Sequence, residues 1–404
     1  MVTHIPCRRR SRTPRVKPSS PFALFRDDRA GESMVFDHPR EIVFARTADE
    51  ILPALEKLES ARQSGFWLAG YLSYEAGHIF EPKLRPLIED NRQTPLIAMG
   101  IFDAPAGNDH PLAAAPALND TATLTDFRAG WNFDTYRDRF ERLHHHIRRG
   151  DCYQANLTMP ITAHWEGDAK ALFWSLIERQ PVRYGALIDL DTEMGGPAIL
   201  SRSPELFFSV DAERMIETHP MKGTAARGKN EAEDRAIIAA MLVDEKTLAE
   251  NRMIVDLLRN DISAVTEVGT LTVPKLFEIE TYPTVHQMVS HISAQLLPKT
   301  GLSEILATLF PCGSITGAPK MWAMRILAEL EDGPRDAYCG AIGWCDPAGP
   351  MRFSVAIRTL SLFRGGDAVF NVGGGIVFDS TAEAEYEECL LKARFAAGSQ
   401  PICR

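Results

Sequence analysis

The stretch AILSRSPELFFSV (residues 198–210) carries two apolar runs parted by Ser203 and Pro204. Each run has strand length and is rich in Ile, Leu, Phe and Val, while proline cannot donate to a sheet ladder, so the segment reads as strand with a break at Pro204. Glu205 follows the break directly. It either projects into a cleft as a proton donor or acceptor, or is an ordinary surface charge.

Working outward, further strand-like runs are CYQANLTMPITAHW (152–165), YGALIDL (184–190), AYCGAIGWCD (337–346), MRFSVAIRTLSLF (351–363) and AVFNVGGGIVF (368–378), and FWLAGYLSYEAG (66–77) reads as a strand followed by a turn. Helical spacing marks 48–65 and 133–151, the latter with Phe133, Tyr136, Phe140, Leu143 and Ile147 on one face and Gly150 as its stop. Helices are also expected over 231–259, 302–309, 318–331 and 381–396. Many strands with several interposed helices indicate an α+β fold, one or two sheets covered by helices. The consecutive His144, His145 and His146 point about 100° apart on a helix and cannot converge on one ion.

Three segments are expected along the chain. Residues 1–20 are basic, free of acid and without a secretory apolar stretch, and read as a disordered extension or a misassigned start, with an organelle transit segment or a polyanion-binding arm as the other readings. Residues 21–125 form an N-terminal subdomain, closed by the Pro-, Ala- and Gly-rich linker or loop 103–126, and 126–400 form the main domain.

With 404 residues, 45% hydrophobic and 24% charged, the chain has ordinary globular composition and lacks the run of about 18 apolar residues that spans a bilayer. A net charge of -10 argues against general nucleic-acid binding, which needs clustered Lys and Arg. Seven scattered cysteines without a C-x-x-C pair fit reduced thiols and a cytoplasmic location.

Glycine and hydroxyl clusters recur at KGT (222–224), GSITGAPK (313–320) and NVGGGIVFDS (371–380). Such loops let backbone N–H groups approach an anion, or simply turn the chain, and none has P-loop or dinucleotide spacing. Glu250 in TLAENRMIVDLLRND and Glu385 and Glu388 in TAEAEYEECLLKARF stand on helices. Carboxylates from two helices suit magnesium, and Glu388 with Lys392 equally reads as an i,i+4 ion pair. Arg358 and Lys392 could grip a carboxylate or be surface charges.

In chain order, GDCYQANLT, SRSPELF, PMKGT, AENRMIVDLLRND, FPCGSITGAPKMWAM, AIRTL, GGGIVFDS and EAEYEECLLKA resemble the chorismate-utilising enzymes over roughly residues 130–396. That family includes anthranilate synthase component I, aminodeoxychorismate synthase component I and the isochorismate and salicylate synthases. The resemblance implies a large two-layer α/β sandwich with the site between its layers, a magnesium ion held by Glu250 and Glu388, and chorismate as substrate. It implies that Gly223, Thr224, Tyr338, Arg358, Gly373, Gly374, Gly375 and Lys392 surround the substrate, with Glu205 as general acid and base.

Gln154 stands where the water-using members carry a basic lysine, which implies ammonia as nucleophile. Lys222 stands where anthranilate synthases have alanine and aminodeoxychorismate synthases have lysine, which implies the latter branch, with Lys222 as covalent nucleophile; anthranilate synthase component I is the alternative. The chain shows no glutaminase signature, so ammonia is expected from solution or from a glutamine amidotransferase subunit. Cys312 replaces a common family glycine, a family histidine falls on His286 or Gln287, and a tryptophan-binding motif is not evident in the N-terminal part.

Overall fold

The structure is a computed structural model that describes residues 20–117, 119–192, 195–282 and 285–403. The expected extension at 1–20 lies, but for Ser20, outside the described residues. Two largely antiparallel sheets stack face to face. Across the first, the strands run Gly317–Ala318, Gln154–Gly167, Asp367–Ile376, Thr359–Leu362, Ala198–Ser203, Tyr184–Asp189, Phe22–Asp27 and Glu32–Asp37, with Ala122–Ala129 also on Gln154–Gly167. Across the second they run Met221–Ala226, Val285–Gln295, Met215–His219, Leu206–Val210, Met351–Val355, Ala341–Cys345, Trp67–Leu72, Ile97–Phe102 and Glu41–Ala45, with Thr272–Thr281 also on Val285–Gln295.

Each sheet is backed by helices, so the sandwich consists of two α/β layers and the α+β expectation holds. Helices Phe133–Arg149, Ala169–Arg179, Lys320–Leu330 and Ala382–Ala397 share a buried apolar cluster with the first sheet. Helices Ala48–Gln63, Glu245–Ser263 and Leu302–Leu309 share another with the second. Between the sheets a smaller core is rich in alanine (Ala23, Ala69, Ala98, Ala186), with Phe36, Tyr71, Phe102, Ile188 and Ile199 filling the gap. Short side chains there let the two backbones come close.

Local chemistry explains the element ends. Helix Phe133–Arg149 starts where the Asn132 side chain accepts from Thr135 N and stops at Gly150, whose φ is +80°. Helix Ala48–Gln63 opens with a Thr47/Glu50 capping box. The expected single helix over 231–259 is instead two, Glu231–Met241 and Glu245–Ser263, because Asp244 caps the second by accepting from Thr247 N. The three histidines diverge: His144 Nε2 meets Phe378 O at 2.7 Å, His146 Nδ1 meets Asp151 at 2.8 Å, and His145 is exposed.

Two segments cross from sheet to sheet. Ala198–Ser203 belongs to the first and Leu206–Val210 to the second; Met351–Val355 belongs to the second and Thr359–Leu362 to the first. What reads as one run in AILSRSPELFFSV or MRFSVAIRTLSLF is therefore two strands in different layers. The crossings are bonded side by side, Arg202 N to Arg358 O at 2.9 Å, Val355 N to Glu205 O at 3.1 Å and Ser203 Oγ to Val355 O at 2.6 Å. Strands from residues 22–102 enter both sheets beside strands from the rest of the chain, so the two parts share one fold.

Arg202, fully buried, is paired with the buried Asp28, which also accepts from Val182 N at 2.8 Å. Removing one partner of a buried pair strands the other charge, a cost of about 3–5 kcal/mol. Asp28→Ala should lower the unfolding free energy by that order in urea denaturation; a loss of a few tenths would refute the pair's role in joining residues 28, 182 and 202.

Candidate active site

The crossings deliver Glu205 and Arg358 to the space between the sheets. Glu205 is buried, and Ser314 Oγ donates to its Oε1 at 2.6 Å. Burial raises its carboxyl to about 7, against which the Ser314 hydrogen bond and the charges of Lys222, Arg358 and Lys392 pull downward. Ser314 belongs to the turn Gly313–Thr316 and also meets Cys312 Sγ at 3.2 Å, so the cysteine that replaces a family glycine packs behind the acid. Arg358 is lowered to about 10, by burial, with Tyr282, Glu205 and Tyr338 acting in opposition. Tyr338 is 7% exposed, and burial pushes its phenol well above the ordinary range.

From the first sheet come Gly373, Gly374 and Gly375, opposite Thr158, Leu157 and Asn156. A Cβ at Gly375 would lie 2.8 Å from Lys222 Nζ and 2.9 Å from Gln154 Nε2, and one at Gly374 would lie 2.7 Å from Glu385 Oε2. Lys222 thus reaches from the edge strand of the second sheet to the glycines of the first. Gln154 is fully buried, and both its amide atoms lack a protein partner among the described residues. Burial is the main cause that lowers the Lys222 ammonium from its ordinary value; Glu250, Glu205 and Glu388 act to raise it and Lys392 to lower it.

Helix Ala382–Ala397 supplies Lys392, whose Nζ donates to Gly373 O at 2.8 Å and pairs with Glu388 Oε1 at 2.8 Å. Glu388's pKa is pulled up by burial and, more strongly in sum, down by Lys392 and the other lysines, so it lies low. Glu385 is buried, accepts from Ser380 Oγ at 2.7 Å, and is raised by burial. Glu250, on helix Glu245–Ser263, lies 3.9 Å from Lys246. Among the described residues no three His, Cys, Asp or Glu side chains are arranged to hold an ion. Glu250 and Glu388, which both act on the Lys222 ammonium, are of the hard-oxygen type that magnesium takes, commonly one or two protein carboxylates with substrate and water completing its shell.

The fold therefore brings together Glu205, Lys222, Gly223, Arg358, Tyr338, Gly373, Gly374, Gly375, Lys392, Glu388 and Glu250, with Thr224 on the exposed side of the same strand. Ser314 was visible only as one hydroxyl in a glycine cluster. Of the two candidates for the family histidine position, His286 turns away, meeting Asp234 at 2.9 Å and Thr281 at 3.0 Å, while Gln287 faces Thr224.

Residues 20–398 match the family model for the chorismate binding enzyme. The chain belongs to that family. As a chorismate binding enzyme it is 37% identical over 343 residues to aminodeoxychorismate synthase component 1 of Escherichia coli strain K12, covering 80% of this chain and 74% of that one. It is 38% identical over 259 residues to anthranilate synthase component 1 of Methanothermobacter marburgensis, covering 64% and 55%. Among solved structures, anthranilate synthase component I from Streptococcus pneumoniae TIGR4 superposes with a TM-score of 0.77 at 24% identity, covering 96% and 94% of the two chains, which establishes the chorismate binding fold. No helix of the described residues is long and apolar enough to cross a membrane.

The raised Glu205 has a stability signature. Below about pH 4.5 its carboxyl is protonated folded and unfolded; above that the unfolded chain ionises first, so this group's contribution is lost as pH rises through about 7. At about 1.4 kcal/mol per pKa unit, the wild type should lose on the order of 3 kcal/mol relative to Glu205→Gln between pH 4.5 and 8. Urea denaturation of both proteins at the two pH values measures it, and an unchanged difference would contradict the raised carboxyl.

Proposed function

We propose that this chain is an aminodeoxychorismate synthase component 1, which converts chorismate and ammonia to 4-amino-4-deoxychorismate and water in the cytoplasm, on the way to p-aminobenzoate and folate. The observation that carries this reading is Lys222, a desolvated lysine held between two sheets against Gly375 and Gln154. The named relative from Escherichia coli supports it.

Desolvation favours the neutral amine, and a neutral amine is a nucleophile. Lys222 Nζ forms a bond to ring C2 while the two ring double bonds shift and the C4–O bond breaks. The buried Glu205 gives its proton to the departing oxygen, which leaves as water, and the resulting carboxylate takes a proton from the alkylated Nζ. Ammonia then adds at C4, the double bonds shift back, and the C2–N bond to Lys222 breaks as Glu205 returns its proton to Nζ; the resulting carboxylate takes a proton from the new C4 ammonium, restoring the neutral lysine and the protonated acid. Arg358, Lys392 and the backbone N–H groups of Gly223 and the 373–375 glycines would hold the two substrate carboxylates, and Thr224 and Tyr338 would complete the wall. Glu250 and Glu388 would hold magnesium, which supplies positive charge to a substrate carboxylate when bound. Gln154, with no titratable group to activate water, favours amination over hydration.

The relative's designation as component 1 motivates a second component, and we assign it the chemistry of a glutamine amidotransferase that delivers ammonia. Anthranilate synthase component I remains the alternative, favoured by the match to the Methanothermobacter enzyme.

Purified protein with chorismate, magnesium and an ammonium salt should yield 4-amino-4-deoxychorismate; release of anthranilate and pyruvate would overturn the assignment. Lys222→Ala should reduce turnover by about 10²-fold or more, the scale of losing a principal reacting group. Without ammonia, mass spectrometry should find a covalent adduct at Lys222 in the wild type and none in the variant. Gly375→Ala should leave the melting temperature close to wild type, because the atoms it crowds are ends of side chains, yet cut turnover at least about tenfold by displacing Lys222.

A further inference from the structure

Strand Met221–Ala226 pairs with Val285–Gln295 so that Met221 faces Val289 and Thr224 faces Gln287. Three residue steps on one strand thus oppose two on the other, and the extra residue falls at Lys222–Gly223. This is a β-bulge, a device that breaks the alternation of a strand and re-aims a side chain. Gly223 takes φ +93°, and a Cβ there would stand 2.3 Å from Thr247 Cγ2, so both backbone conformation and packing require glycine.

One side chain spans the bulge from across the ladder. Gln287, 7% exposed, accepts from Thr224 Oγ1 at 3.0 Å through its Oε1, and its Nε2 donates to Gly223 O at 3.2 Å. We propose that Gln287 is a positioning residue that locks this bulge and thereby aims Lys222 Nζ at the space between Gly375 and Gln154. The inference rests on the reading of Lys222 as nucleophile.

The chemistry of an amide suits this task. It offers a donor and an acceptor at once, and it does not titrate over the range in which the Glu205 carboxyl and the Lys222 amine exchange protons. Slippage of a strand by one residue turns its side chains to the opposite face, so an unpinned bulge would carry Lys222 out of line. The adjacent His286 cannot substitute, because it faces away and is held by Asp234, itself gripped by Arg227 and Gly228 N.

The full chain, mixed with chorismate and magnesium without ammonia, is quenched at intervals and the Lys222 adduct quantified by mass spectrometry, while titration calorimetry gives the chorismate Kd. A displacement of about 1 Å at a reacting group can cost about 100-fold. Gln287→Met, of similar length but without the amide, should slow adduct formation at least about tenfold with Kd changed less than about threefold, and Gln287→Glu, which keeps the acceptor for Thr224, should recover part of the rate. If Gln287→Met fails to fold, Gln287→Glu is judged on the same two readouts against wild type. An unchanged adduct rate, or a Kd weakened as much as the rate, overturns the clamp alone. No adduct in the wild type overturns the Lys222 reading and the clamp with it.

Discussion

Lys222, half-buried, reaches across the gap between two sheets and brings its ammonium against a glycine of the opposite layer. A charge in such a place is costly unless paired or discharged, and here burial drives it toward the neutral form while three carboxylates hold it back. The surrounding architecture follows from that single contact. Glycine at 375 leaves room for the amine, which a Cβ would approach to 2.8 Å, and glycine at 374 leaves room for Glu385. The helix behind those glycines brings Glu388 and Lys392 within the same field.

A second constraint is the pair of crossings that tie the sheets together. Ser203 to Glu205 and Ala356 to Arg358 leave one layer and enter the other side by side, bonded backbone to backbone. Because they span the gap, the residues on them look inward without needing a loop from the surface. Glu205 and Arg358 owe their position to this, and burial is the main cause that raises the one and lowers the other. The two environments act oppositely, raising the acid and lowering the amine, which is the direction that the proposed proton donor and nucleophile require.

Part of this is legible in the sequence. The apolar runs, the stop at Gly150 and the helical spacings suffice for the α+β class and for most helices, and the glycine and carboxylate motifs suffice to name the candidate site residues. The strands at 22–45, 215–219 and 272–281 were not separated as strands, because short mixed runs carry weak periodicity. The helix break at 242–244 carries no distinct sequence signal, because Asp244 is one polar residue among many.

By itself the sequence determined which chemical groups exist: a lysine beside Gly-Thr, an acid after a proline, three glycines in a strand, and carboxylates on two helices. Only the tertiary structure decided that AILSRSPELFFSV changes sheets at Pro204, that Ser314 rather than a distant group holds Glu205, and that Gln287 and not His286 faces the Lys222 bulge. The physical reason is common to all three. Local propensity fixes the period of a strand, but the partner, register and face are set by pairing between segments tens to hundreds of residues apart, and a single extra residue in a ladder inverts what faces the site.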